Sequence, residues 1–144
     1  MIIIEDCAHC LGAKFDNRLL GTFGDIGMFS FGSDKIISCV RGGSLITNNL
    51  EIANQIRKKQ NLLPYPNRLK TIQHLLHYPI FSFSKPIYNL KVGKGILALS
   101  KKINFLNKII YSEEKIGMPV SFYPSKLANS LAKILFFQVD KIEK

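Results

Sequence analysis

A chain of 144 residues is long enough to form one domain with a core, and its 47% hydrophobic content is ordinary for a globular protein. Its three cysteines, and a start without the basic segment of a signal peptide, predict a cytoplasmic protein without a disulfide framework. The net charge of +10 does not indicate nucleic-acid binding, because residues 52–112 hold eleven Lys/Arg and no acid whereas residues 1–60 are nearly neutral.

The first 60 residues predict strands and loops followed by one helix. The β-branched run at residues 1–5 predicts a short, fully buried strand, and the turn-rich residues 12–24 predict a loop or hairpin. Two more strands are predicted at residues 27–31 and 44–47, and helical spacing of apolar residues extends over 50–60. This order is typical of an α/β layered domain, in which a ligand site is expected at the carboxyl end of the first strand.

The remaining sequence divides into a basic stretch and a helix. Four prolines at positions 64, 66, 79 and 86 predict that the stretch 62–111 is cut into short pieces. No apolar run approaches the ~18 residues needed to cross a bilayer. From residue 124 onward a helix is predicted by apolar residues at helical spacing, namely Leu127, Leu131, Ala132, Leu135, Val139 and Ile142.

Three short segments in the first 50 residues carry the residue types that could do chemistry. They read I-E-D-C-A-H, G-T-F-G-D and S-F-G-S-D-K, and the last is followed by a pair of glycines. They place Asp6 at the end of the first strand, His9 three residues later, and Ser30 and Lys35 after the second strand. Such a set suits a polar, anionic ligand.

The order of these segments resembles the central part of the DegT/DnrJ/EryC1/StrS sugar aminotransferases, over residues 1–60 and more faintly over 123–144. The resemblance implies an α/β fold: part of the large domain of a fold type I, aspartate aminotransferase-like transferase that uses pyridoxal phosphate (PLP), with three α/β/α layers, incomplete here. Residues 1–60 would be its cofactor-binding part, 61–115 a basic insert or linker, and 116–144 a helix leading into a small domain absent from the chain. The upstream phosphate loop is also absent, so we expect the chain alone to be inactive.

The resemblance gives each candidate residue a role. Lys35 matches the lysine that bonds to the cofactor as a Schiff base, and Asp6 matches the acid that keeps the cofactor ring nitrogen protonated. Ser30 matches a hydroxyl that binds the cofactor phosphate, and His9 matches a residue that stacks on or hydrogen-bonds near the ring. The structural alternatives are a surface lysine, a turn aspartate, a serine bonded to backbone and a structural histidine.

Other features in this region bear on these roles. Cys7 and Cys10 flank His9, but two cysteines and one histidine without a second cluster do not match a zinc pattern, so we expect no metal site. The pair Gly42-Gly43 fits a tight turn that lets backbone approach the cofactor-bearing loop. Arg41 precedes it, where many members of the family carry an acidic or small residue, so substrate preference stays open.

The function implied by the resemblance is transfer of an amino group, from glutamate, to a keto group of a nucleotide-linked sugar in polysaccharide, lipopolysaccharide or glycoside biosynthesis, by a cytoplasmic homodimer. One alternative is a PLP-dependent sugar dehydratase, but the dehydratases of this fold have another residue in place of the Schiff-base lysine, so Lys35 argues against it. The other alternative is a non-catalytic or regulatory member of the fold. No nucleic-acid partner is expected. The basic insert either contacts an anionic membrane or is a solvated face over its own core, and the sequence favours the solvated face.

Overall fold

The computed structural model describes residues 1–89, 92–102, 111–120 and 123–139. These residues form a mixed α/β structure with one three-stranded sheet, one small hairpin and five helices. The strands are β1 (Ile4–Asp6), β2 (Lys14–Phe15), β3 (Arg18–Leu19), β4 (Ile26–Ser30) and β5 (Gly43–Ile46). The helices are α1 (Leu50–Leu62), α2 (Arg68–Ser84), α3 (Val92–Lys102), α4 (Ser112–Lys115) and α5 (Asn129–Val139).

The larger sheet has the order β1-β4-β5, with β4 in the centre. β1 runs parallel to β4, with Ile4 opposite Ile26 and Asp6 opposite Met28. β5 runs antiparallel to β4 and places Gly43 opposite Ser30. The carboxyl ends of β1 and β4 therefore lie at the same edge of the sheet.

β2 and β3 form the hairpin predicted for the turn-rich stretch. Its two turn residues, Asp16 and Asn17, have φ values of 47° and 61°, which this pair of residue types tolerates well. Glu5 of β1 ties the segment after the hairpin to the sheet, because its carboxylate accepts hydrogen bonds from the N–H groups of Gly21 (2.9 Å) and Gly24 (2.5 Å). The Gly24 bond is the main reason that the pKa of Glu5 is lowered.

The prediction that the first strand is fully buried is wrong. Ile2, Ile3 and Ile4 are 62%, 52% and 61% exposed. Among the described elements, only β4 packs closely on β1, so one face and one edge of this strand stay open.

The prediction that prolines cut the basic stretch into short pieces is also wrong for residues 68–84. α2 runs through Pro79 without a break. A proline inside a helix removes one backbone hydrogen bond and costs about 3 kcal/mol. Tertiary contacts offset this, since His74 on the same helix is buried, Leu75 packs against the core and Tyr78 bonds to a distant loop.

The core of the described structure lies between α5 and the loop that follows β4. Its buried members are Ile37, Cys39, Ala128, Leu131 and Leu135. Leu131 and Leu135 belong to the apolar stripe predicted for the last helix, but the predicted Val139 is 44% exposed, the helix begins at Asn129, and the predicted Ile142 lies outside the described residues. Burial of each such leucine contributes roughly 1.5–3 kcal/mol. The core therefore fixes the loop that starts directly after Lys35.

Candidate active site

The candidate site lies at the edge of the sheet where β1 and β4 end. Asp6 is the last residue of β1, and His9 follows it by three residues. Ser30 is the last residue of β4, and the turn after it leads to Lys35. Parallel pairing of the two strands thus brings together residues that are more than twenty positions apart, at the edge where α/β sheets bind ligands.

Lys35 is the best-connected polar side chain at this edge. Its Nζ lies 2.7 Å from Nε2 of His9 and 3.1 Å from Oδ2 of Asp34. The Lys35 side chain is only 12% exposed, whereas that of Asp34 is 60% exposed. The hydrogen bond from Lys35 is the main cause of the lowered pKa of the Asp34 carboxyl. Lys35 is therefore an enclosed amine with two fixed partners rather than an extended surface lysine.

A cavity of about 50 Å³ opens beside the Lys35 amine. Its lining includes three of the four predicted site residues, and the full set is Ala8, His9, Leu11, Ser30, Asp34, Lys35, Ile36 and Ile37. Asp6 is not among these described lining residues. Its Oδ1 instead accepts a hydrogen bond from the N–H of Ala8 at 3.1 Å, which makes it a turn-forming carboxylate that remains exposed.

Ser30 lies at the junction between β4 and the lysine turn. Its Oγ accepts a long hydrogen bond, 3.4 Å, from the N–H of Gly32. The turn closes with a bond from the N–H of Lys35 to the carbonyl of Gly32 at 3.1 Å. The Ser30 hydroxyl and the backbone groups of this turn are therefore no more than five positions from Lys35 in the sequence.

The loop after Lys35 is held by two distant helices, an arrangement that the sequence did not indicate. The Gln138 side chain accepts from the N–H of Ser38 at 3.0 Å and donates to the carbonyl of Ser38 at 2.7 Å. The hydroxyl of Tyr78 donates to the same carbonyl at 2.5 Å. Burial raises the pKa of Tyr78, and its hydroxyl is the donor in this bond.

Arg41 links the same loop to the segment around α4. Its Nη1 lies 3.4 Å from Oε1 of Glu114, and its guanidinium lies over the rings of Tyr111 (5.2 Å) and Tyr123 (5.3 Å). The pKa of Glu114 is lowered, first by a hydrogen bond from the backbone of Tyr111 and then by Arg41. The unusual residue before the glycine pair therefore has a structural partner, which the sequence did not indicate.

The glycine pair is explained by close packing rather than by left-handed backbone. A Cβ added at Gly42 would lie 2.7 Å from Sγ of Cys39, and one added at Gly43 would lie 2.9 Å from the carbonyl oxygen of Phe29. Cys39 is fully buried. The absence of side chains at Gly42 and Gly43 thus lets β5 approach both β4 and the loop after Lys35.

The amino-acid sequence matches a known protein family. The DegT/DnrJ/EryC1/StrS aminotransferase family model matches residues 1–90, which is more than half of the chain. The chain belongs to the DegT/DnrJ/EryC1/StrS aminotransferase family. None of the helices in the described ranges is long and apolar enough to cross a membrane.

Several named relatives in this family are similar to the chain over part of its length. GDP-perosamine synthase from Caulobacter vibrioides is 28% identical over 128 residues, which cover 89% of this chain and 31% of the relative. L-glutamine:scyllo-inosose aminotransferase from Streptomyces griseus is 43% identical over 51 residues, 35% of this chain and 12% of the relative. UDP-N-acetyl-3-dehydro-alpha-D-glucosamine 3-aminotransferase from Acidithiobacillus ferrooxidans is 33% identical over 85 residues, which cover 51% of this chain and 23% of the relative. The chain spans less than a third of the length of each of these relatives.

The DegT/DnrJ/EryC1/StrS family implies PLP as cofactor, and the residues at the sheet edge fit it chemically. An aldehyde requires an amine, which Lys35 offers, and a phosphate requires donors such as the Ser30 hydroxyl and nearby backbone N–H groups. The cavity of about 50 Å³ is much smaller than the ~300 Å³ or more of a typical ligand site. The cavity alone is therefore too small for the whole cofactor.

No group of three or more His, Cys, Asp or Glu side chains in the described part of the chain is arranged to hold a metal ion. The three cysteines are free thiols. Cys7 and Cys39 are buried, and burial raises the pKa of each to about 11. Buried, protonated thiols of this kind act as small apolar side chains.

Proposed function

We propose that the polypeptide carrying this chain is a PLP-dependent transaminase that moves an amino group, from glutamate, to a keto group of a nucleotide-linked sugar. The observation that carries the proposal is the enclosed Lys35 amine, 2.7 Å from His9, at the sheet edge of an aminotransferase family member. The nucleotide-linked sugar is supported by the names of the relatives from Caulobacter vibrioides and Acidithiobacillus ferrooxidans, which specify GDP and UDP compounds.

Each site residue has a distinct task in this proposal. When bound, PLP supplies an aldehyde that bonds to amines and a ring that accepts electrons from the carbon next to the bonded nitrogen. Lys35 would hold the cofactor through Nζ and, once released, carry a proton to or from the substrate carbon. The Asp6 carboxylate would keep a proton on the ring nitrogen, and Ser30 would bind the phosphate. His9 would orient the Lys35 amine and lie beside the ring.

The division of the chain follows from the same proposal. Residues 1–60 contribute to the cofactor site, residues 61–115 form a basic insert, and residues 116–144 contain the helix that leads towards a small domain. α5 has a second task, since Gln138 holds the loop after Lys35. The complete enzyme would act as a cytoplasmic homodimer.

Reductive labelling tests the assignment of the lysine. Borohydride treatment of the PLP-loaded protein, followed by peptide mapping, should place the label on Lys35. Lys35→Ala should remove the label, while the control Lys133→Ala, which changes an exposed lysine of α5, should leave it. Labelling of many lysines in equal amounts would contradict a dedicated cofactor amine, and would favour a non-catalytic member of the fold.

The role of Asp6 is tested by two substitutions with different structural consequences. Asp6→Asn keeps an oxygen that accepts from the N–H of Ala8, so the turn should persist while the charge is lost. Asp6→Ala removes both. Transamination of a nucleotide-linked keto sugar should fall at least about a hundredfold in both variants if the charge supports catalysis. Full activity of Asp6→Asn would show that the carboxylate only forms the turn.

Product analysis distinguishes the reaction class and the amino donor. Transamination exchanges a carbonyl oxygen for an amino group and converts the donor to its keto acid. Glutamate and glutamine, the latter named in the relative from Streptomyces griseus, can be compared directly as donors. Loss of water from the sugar without consumption of a donor would identify a dehydratase instead.

A further inference from the structure

An apolar stripe runs along α2, and it is exposed except at the half-buried Leu76 in its middle. Its positions are spaced alternately by three and four residues, which places them on one side of the helix: Leu69, Ile72, Leu76, Pro79 and Phe83. Leu69 and Phe83, at the two ends, are 75% and 76% exposed, and Ile72 is 50% exposed. The buried residues His74 and Ser84 lie on the other side. α2 thus uses one side for packing and leaves its apolar stripe on the surface.

α3 repeats this pattern. Val92, Ile96 and Leu99 share one side of the helix and are 57%, 38% and 60% exposed. Gly93 and Ser100 are buried on another side, and Gly93 is packed so closely against the end of α2 that a Cβ there would overlap the carbonyl oxygen of Ser84. We call α2 with the turn that follows it (residues 68–89), together with α3 (residues 92–102), the α2–α3 pair.

The stretch of chain that carries the two stripes is strongly basic. Residues 52–112 contain eleven Lys/Arg and no acidic residue. Lys85, Lys94 and Lys102 are exposed on the α2–α3 pair or next to it. Nζ of Lys94 lies 5.1 Å from the ring of Tyr88, which is itself 44% exposed. Apolar side chains, aromatic rings and lysines in one exposed helical unit are the combination that binds at the surface of an anionic bilayer.

Charge distinguishes between three occupants of this surface, namely a second copy, a nucleic acid and a lipid bilayer. A second copy of the chain would place two acid-free, cationic surfaces against each other, and their repulsion opposes such a dimer. A nucleic acid would neutralise the lysines but would leave leucine, isoleucine and phenylalanine side chains exposed. An anionic lipid surface suits both the lysines and the apolar side chains. Its headgroups attract the lysines, and the boundary between headgroups and acyl chains buries the stripes.

We propose that the α2–α3 pair binds to the surface of an anionic lipid bilayer, with its apolar stripes at the boundary between headgroups and acyl chains. The sequence favoured a basic segment that covers its own core, and the exposure of both stripes changes that interpretation. The proposal does not depend on the reaction that the protein catalyses. It adds a location to the proposed function, since a membrane-bound enzyme would act beside lipid-linked sugars.

Vesicle co-sedimentation of the 144-residue chain tests the proposal. Vesicles of phosphatidylcholine alone are compared with vesicles that contain phosphatidylglycerol as well, and a sample without vesicles corrects for aggregation. We expect at least about tenfold stronger binding to the anionic vesicles, weakened by added salt. Phe83→Glu should reduce this binding about tenfold or more, because it places a charge in the apolar stripe.

The chain offers a matched control. Phe137 on α5 is exposed to the same extent as Phe83, 76%, but lies outside the α2–α3 pair. Phe137→Glu should therefore leave vesicle binding unchanged. Leu99→Glu tests the second stripe independently, and it replaces the Phe83 variant if circular dichroism shows that Phe83→Glu alters the fold. Lys85→Glu should weaken binding to anionic vesicles more than Lys133→Glu, the matching change on α5.

Three results would overturn the proposal. The first is equal binding to neutral and anionic vesicles. The second is an equal loss of binding in the Phe83 and Phe137 variants, which would indicate a general effect of added acid. The third is a chain that does not bind vesicles but binds single-stranded RNA in a salt-dependent way that Phe83→Glu leaves unchanged. This result would show that the basic residues bind nucleic acid.

Discussion

The amine of Lys35 lies 2.7 Å from Nε2 of His9, although twenty-six residues separate the two in the chain. The parallel register of β1 and β4 produces this pairing, because each residue follows the carboxyl end of one of the two strands. The amine of a lysine has three hydrogens to donate and no acceptor when protonated, so the imidazole nitrogen is the natural acceptor. The contact leads us to predict that His9 orients the proposed cofactor amine.

Substitution of His9 should slow the labelling of Lys35 by PLP and borohydride. His9→Ala removes the partner that orients Nζ, and misplacement of a reacting group slows its reaction, so we expect an about tenfold slower rate. His9→Gln keeps an acceptor and should recover part of the rate. The measurement is the time course of label on the Lys35 peptide, with the Lys126 peptide as internal standard. Equal rates in all three proteins would show that the contact does not control the amine.

Gly21 and Gly12 provide a matched pair for testing the packing beside β4. Both have left-handed φ values, +90° and +78°. A Cβ at Gly21 would lie 2.7 Å from the ring of Phe29, whereas nothing lies within 4 Å of one at Gly12. Gly21→Ala should therefore lower the free energy of unfolding by about 3 kcal/mol, and Gly12→Ala by only about 1 kcal/mol. Urea denaturation measures both, and equal losses would contradict the packing argument.

The stability of the fold should decrease in alkaline solution because of Cys39. Its thiol is fully buried, and burial raises its pKa from 9.0 to about 11. Above pH 9 the unfolded chain releases this proton while the folded chain retains it until about pH 11, so unfolding becomes more favourable as pH rises. Urea denaturation between pH 8 and pH 11 should show this decrease, and Cys39→Ala should show a smaller one. A pH dependence unaffected by Cys39→Ala would contradict this origin.

The loop after Lys35 should become accessible to protease when Gln138 is replaced. Gln138→Leu removes both bonds to the Ser38 peptide and leaves its buried groups with fewer partners, at a cost of about 1–3 kcal/mol. Limited trypsin digestion should then cut after Lys35 faster than in the unchanged chain. Phe137→Leu, one residue away on α5 and exposed, is the control. Unchanged cleavage after Lys35 would show that Tyr78 alone holds the loop.

The sequence predicted the local elements of this protein well, because their signals are local. The turn at Asp16-Asn17, the strands on either side of the candidate site and the start of α1 at Leu50 all depend on residues close to each other. The meeting of His9, Ser30 and Lys35 in one cavity was implied by the family resemblance, and parallel strands explain it.

Features that depend on distant residues were not predicted. Ile4 is exposed because no other described element packs on that side of β1. The apolar pattern of a strand does not show whether another element packs on it. The continuity of α2 through Pro79 depends on packing by residues such as Tyr78, which no local rule includes. The pairing of Arg41 with Glu114 spans more than seventy residues, and neither residue type specifies the other.

The Ser38–Gln138 pairing also bears on biosynthesis, because one hundred residues separate its members. A ribosome that adds ~5–20 residues per second produces Gln138 roughly 5–20 s after Ser38. During that interval the nascent lysine loop has neither its glutamine partner nor the core leucines of α5. The Lys35 loop thus gains this anchor only once residue 138 has been made, so truncation before residue 138 would leave the loop without it even though Asp6, His9, Ser30 and Lys35 had already been made.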